Sequence, residues 1–332
     1  MNDLASSLFR AILSIFILMT MGWGLRRIGL VGARGTDLLG RAVILGFFPV
    51  LVFHRLASAT DPAVAFAGWA IHVWAVVTLL GGGLVGWLWH RVMRAGDAPR
   101  TFLFIVAMPN WIFLPLAVAG PLWGDEAVRL IILFNIPTQL MMWTLGILLL
   151  QGTLRNAHAL KYMVINPGLI ASVAGLLSAY GVLPVTLREG GAGLSLAALN
   201  GPLHLIGNLT IPLSLIALGL QLGDPAPARP DGQRTVALVI IGRLLIAPLV
   251  LIAAVIGVEA AGFAMAPTLR WVVYLIVAMP VAVSVPLFVQ LFGGDLYLAT
   301  RSVLMSTLAG LVTAPLLVLL ALVVERALGM AP

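Results

Sequence analysis

The residues with most chemical potential in this chain are amides and prolines rather than acids or nucleophiles. Asn110 directly follows Pro109 within IVAMPNWIFLPL, Ile105 to Leu116. Asn135 and Gln139 lie four residues apart, and Asn200, His204 and Asn208 repeat that spacing, so each set shares one helical face. Amide N–H groups donate hydrogen bonds to a carboxylate without carrying charge. A proline inside a helix removes one N–H and opens the ladder, and the helix restarting beyond it presents free donors and partial positive charge. That combination suits an anion. The plainer readings are a simple kink for the prolines and interhelical hydrogen bonds for the amides. Ser284, Ser306 and Thr307 fit the plainer reading better.

A second copy of the proline motif sharpens the first. Ile276 to Leu287 reads IVAMPVAVSVPL, with Pro280 and Pro286 each 171 residues beyond Pro109 and Pro115. Both copies run into Gly-Asp, at Gly124–Asp125 and Gly294–Asp295. Pro49 in FFPVLVF and Pro212 in TIPLSLI form another matched pair. The second motif carries Val281 where the first has Asn110.

The elements that hold these residues follow from composition. Apolar residues make up 61% of the 332 positions and charged residues 9%, with a mean hydropathy of +1.10. A soluble domain carries roughly a quarter charged residues. The solvent is therefore a bilayer. The net charge of +7 is spread singly or in pairs, which gives no nucleic-acid footprint. Cysteine is absent, excluding disulfides and thiolate sites. No HExxH, GxSxG or Walker-type motif is present, so neither enzyme nor nucleotide-driven pump is indicated, and no cofactor or metal is expected.

A ruler of about 20 apolar residues gives ten spans: about 5–25, 38–58, 64–89, 101–122, 127–150, 164–184, 195–221, 235–257, 268–292 and 297–323. The first of these is followed by Arg26–Arg27 and reads as a transmembrane helix rather than a cleaved signal. Residues 1–150 form one five-helix repeat, 151–163 a cytoplasmic linker and 164–332 a second repeat, all within one membrane domain. Because five is odd, the second repeat is inverted. The alternate loops starting at Arg26 hold eleven Arg or Lys against six on the other side, including Arg188 and Arg270. That bias puts the first set in the cytoplasm and both termini outside, which in a bacterial cytoplasmic membrane is the periplasm. Arg243 is expected to snorkel outward from the cytoplasmic end of its span, and Gly81–Gly83 with Gly86 to serve helix packing. Asp37, Asp125, Asp295 and Glu325 all sit near span ends. His204 is the one mid-span group expected to titrate near neutral pH, which makes it the candidate for proton coupling.

Several segments in order carry a family resemblance: GWGLRRIGL, AMPNWIFLPLAVAGPLWGDEA, INPGLIASVAGLL, IPLSLIALGLQL and LMSTLAGLVTAPL. Together they resemble bacterial members of the auxin efflux carrier (PIN-like) family, of the bile acid/sodium symporter-type fold. The resemblance implies ten helices in two inverted repeats, a scaffold and a transport domain, and fourth and ninth helices that break and cross at the substrate site. It also implies elevator-type movement of an organic anion, with Pro109–Asn110 at the first crossover and Gln139 or Asn135 beside it. Val281 departs from the asparagine such carriers tend to have at the second crossover.

The expected function is a secondary carrier for a small organic anion held by Pro109, Asn110, Asn135, Gln139, Asn208, Pro280 and Val281. The alternatives are a sodium- or proton-coupled symporter of the bile-acid type and a membrane ligand sensor without transport. Lipid surrounds the chain, and a homodimer is the assembly left open.

Overall fold

A computed structural model of the chain describes residues 2–58, 69–96, 98–152, 165–183, 185–187, 194–195, 197–223 and 232–330. Most of the expected linker, the start of the third span at 64–68, and Arg155, Lys161, Arg188 and Arg229 lie outside them.

The described residues are nearly all helical. In chain order they form α1 (Asn2–Arg27), α2 (Ala33–Ala57), α3 (Trp69–Met93), α4 (Pro99–Ala107), α5 (Phe113–Gln151), α6 (Pro167–Ala179) and α7 (Ala197–Leu222). Then follow α8 (Gln233–Ala260), α9 (Pro267–Ala278), α10 (Val285–Phe292) and α11 (Leu296–Ala327). The sole strands among them are β1 (Val185–Thr186) and β2 (Leu194–Ser195), a two-residue parallel pair. Six helices, α2, α3, α5, α7, α8 and α11, are long and apolar enough to cross a membrane, and α6 and α9 are shorter apolar helices. The chain is a multi-pass integral membrane protein.

Local chemistry explains where the helices begin and bend. Asn166 caps α6 by accepting from the Leu169 N–H, with Pro167 at the first helical position where no N–H is needed. Asp295 caps α11 in the same way, accepting from Leu298 N–H at 2.9 Å. Both Gly-Asp steps are corners. Gly124 has φ of +69° inside α5, and Gly293 and Gly294 have φ of +91° and +131° before α11. Only glycine takes those angles at little cost, so each motif copy closes on a turn. Three π-helical turns sit within the long helices, at Val43–Phe47, Met142–Gly146 and Gly242–Ile246. The first and third lie directly before Pro49 and Pro248, where the ladder already lacks a donor.

The chain divides into two compact units, and they are not the two sequence halves. The first comprises residues 1–72 and 158–224, the second 73–157 and 225–332. Each unit therefore draws on both halves. In the first unit α2 packs against α6 and the start of α7, while α1 lies along the end of α7. In the second, α9 packs on α5 and α11, and α10 on α11. Here the glycine run of α3 has its expected role. A Cβ on Gly82 would stand 3.2 Å from the Ala107 Cα and 3.3 Å from the Val106 oxygen, so α3 lies directly on the end of α4.

Candidate functional site: a crossover of two broken helices

The two proline motifs meet in the second unit. α4 stops at Ala107 and α9 at Ala278, and the following residues leave the helical region: Met108 at φ −105°, ψ 87° and Met279 at φ −67°, ψ 151°. A residue before proline is pushed there by the ring of its neighbour. The helices resume at Phe113 and Val285 rather than immediately beyond Pro109 and Pro280. The second proline of each motif, Pro115 or Pro286, thus stands in a new first turn, where the absent N–H costs nothing. One proline ends a half-helix and the next begins one.

Between the half-helices, the two extended stretches pair antiparallel, Pro109 against Val281. Asn110 N–H donates to the Pro280 carbonyl at 2.7 Å, and Ala282 N–H to the Met108 carbonyl at 2.9 Å. This alters the expectation that the first N–H groups beyond each proline are free for an anion. In an apolar medium every unpaired backbone group costs several kcal/mol, and these two stretches relieve that cost by bonding to each other. The Val281 N–H is also occupied, donating to Ser306 Oγ of α11 at 3.2 Å.

Unpaired amide side chains are concentrated on the first motif. Asn110 is 3% exposed and its Nδ2 has no partner. Trp111, next in sequence, donates its Nε1–H to Asn135 Oδ1 at 2.9 Å. That bond ties the far part of α5 to the crossover and leaves the buried Asn135 Nδ2 without a partner. Gln139, one turn further, is half-buried with Oε1 unpartnered. Pro137 lies between them, and Thr138 Oγ1 donates to the Phe134 and Asn135 carbonyls at 2.9 Å in the loosened turn. Buried native polar groups are normally paired, so two unsatisfied amide donors in one small region mark a place for an acceptor. On the second motif, Pro280 and Val281 are buried with no side-chain donor. Thr307 Oγ1 and Ser302 Oγ on α11 are buried and unpartnered.

The remaining expected site residues lie in the first unit. Asn208 and His204 are exposed on α7, with Asn208 Nδ2 3.1 Å from His204 Nε2 and Arg55 Nη2 donating to Asn208 Oδ1 at 3.4 Å. His54 of α2 pairs with Asn200 Oδ1 at 2.8 Å and meets the His204 ring at a tilt, 5.3 Å between centroids. They form a cluster of their own.

Two charged residues are placed otherwise than their sequence positions suggest. Arg243 does not snorkel: it is 0% exposed, in the π-helical turn of α8. Its Nη1 donates to the Val106 carbonyl at 3.0 Å, its Nε to Met279 at 3.2 Å, and its Nη2 to Val277. Sequence position alone gave no sign that this face of α8 turns inward. Arg270, counted among the loop residues, is 5% exposed and pairs with Glu259 at 3.0 Å and Glu325 at 2.7 Å, while Tyr274 Oη donates to Glu325 at 2.9 Å. Glu259 lies 11 residues before Arg270 and across a turn, and Glu325 lies 51 residues beyond Tyr274, so no local motif announces the cluster.

A family model described as membrane transport protein matches residues 7–318. The chain belongs to that family, the auxin efflux carrier-like transporters. A protein of Methanothermobacter thermautotrophicus described as an uncharacterized transporter is 29% identical over 311 residues, covering 92% of this chain and 95% of its own length. The match runs through both motifs and both compact units of this membrane transporter, so the crossover lies inside the shared region.

Proposed function

We propose that this transporter is a secondary carrier for a small organic anion, a carboxylate, held at the crossover of α4–α5 and α9–α10. The observation that carries the reading is the pair of buried, unpartnered amide donors Asn110 Nδ2 and Asn135 Nδ2, beside the start of one resumed half-helix. A carboxylate accepts from both amides, and the positive ends of α5 and α10 favour its charge. Pro109 and Pro280 keep the backbone open, Val281 supplies main-chain pairing and apolar wall, and Gln139 lies one turn beyond Asn135. In this reading the ten expected spans form two inverted repeats with both termini periplasmic in a cytoplasmic membrane. The second compact unit contains the whole crossover and is the part that carries the anion across in an elevator-type movement. His204, whose ring meets that of His54 at 5.3 Å between centroids, is the proton-coupling candidate of this reading.

Flux of labelled mono- and dicarboxylates into proteoliposomes, with proton and sodium gradients imposed separately, tests this directly. The reading predicts saturable carboxylate flux, with an imposed proton gradient driving accumulation that His204→Gln abolishes. A broad panel in which no carboxylate crosses would overturn the carrier reading.

A further inference from the structure

Arg243 is a buried cation with no acidic partner. Among the described residues of its unit, Glu259 and Glu325 are engaged by Arg270, Asp295 caps α11, Glu126 accepts from Thr268, and Asp125 forms no ion pair with Arg243. All of Arg243's bonds go to main-chain carbonyls of two helix ends: Val106 in the last turn of α4, and Val277 with Met279 at the end of α9. A charge is costly to bury and persists only where its donors are satisfied. The planar fork of a guanidinium suits three carbonyls converging from two helix ends.

These are the two carboxyl ends that the broken helices turn toward the crossover. Each such end carries about half a negative charge, and each resumed end, at α5 and α10, about half a positive one. Four ends alone leave the crossover close to neutral. Arg243 offsets both negative ends while leaving the positive ends and the amides of Asn110 and Asn135 open. We infer that Arg243 is the charge-selecting residue of the crossover: by capping the carboxyl ends of α4 and α9, it leaves a net charge of about +1 that is matched by a monovalent anion. It acts through the helix ends and is a positioning residue, not a group touching the anion. The inference rests on the carboxylate reading of the same site and adds what sets charge preference there.

The test uses the full chain, purified and reconstituted in nanodiscs, with three probes of one ring size: benzoate, phthalate and benzamide. Binding is followed by titration calorimetry for wild type, Arg243→Gln and Arg243→Lys. The wild type should prefer benzoate to both other probes. Arg243→Gln should lose at least about tenfold in benzoate affinity and leave benzamide unchanged, whereas Arg243→Lys should stay within about threefold of wild type. Benzoate binding that survives Arg243→Gln, while Asn110→Ala weakens it, overturns the inference and leaves the site reading standing. A wild type that binds neither carboxylate overturns both. Should Arg243→Gln fail to fold, the wild-type preference decides: phthalate bound as well as benzoate, or better, contradicts a charge of +1.

Discussion

At the first crossover Pro109 is followed by Asn110 and Trp111, and the amides of Asn110 and Asn135 both keep an unpaired donor in a buried region. At the second, Pro280 is followed by the apolar Val281 and Ala282, and the Val281 N–H is taken by Ser306. The backbones match closely: each half-helix stops before a proline, each extended stretch bonds to the other, and each new helix has proline in its first turn. An internal repeat can thus preserve the backbone device while its two copies differ in side-chain chemistry. The first copy holds unpaired amide donors, and the second is apolar and buried.

That contrast can be broken or sharpened by substitution. The largest expected effect comes from giving the second copy the first one's amide. Val281→Asn places a polar group where the side chain is 0% exposed, and should cost about 1–3 kcal/mol of stability, read as a lowered melting temperature in detergent. It should bring no gain in anion affinity; a gain would show the copies to be interchangeable. Ser306→Ala unpairs the Val281 N–H and should cost about 1–2 kcal/mol in the same assay with anion affinity preserved. Trp111→Phe removes the bond to Asn135 and should weaken anion binding by about 0.5–1.5 kcal/mol, with a smaller change in melting.

Much of this was legible in the sequence because proline acts locally. The breaks at Pro109 and Pro280, the glycine corners before Asp125 and Asp295, and the packing role of the α3 glycines follow from side chains that constrain their own backbone. The resumption points at Phe113 and Val285 were not legible, since they depend on two stretches about 170 residues apart pairing with each other rather than on either one alone. The inward turn of Arg243 and the Arg270–Glu259–Glu325 cluster were missed for the same reason. Which way a long side chain points at a helix end depends on its neighbours in space. The compact units escaped the sequence too, because each is assembled from both halves. A repeat is a relation along the chain, and a folding unit is a relation of contacts.

The most direct test of unequal crossovers is the affinity for one transported carboxylate, measured by calorimetry on wild type, Asn110→Ala and Val281→Ala. Loss of one buried donor should weaken binding by at least about tenfold in Asn110→Ala, while Val281→Ala should stay within about twofold of wild type. Equal losses in the two variants, or unchanged affinity in Asn110→Ala, would contradict the account.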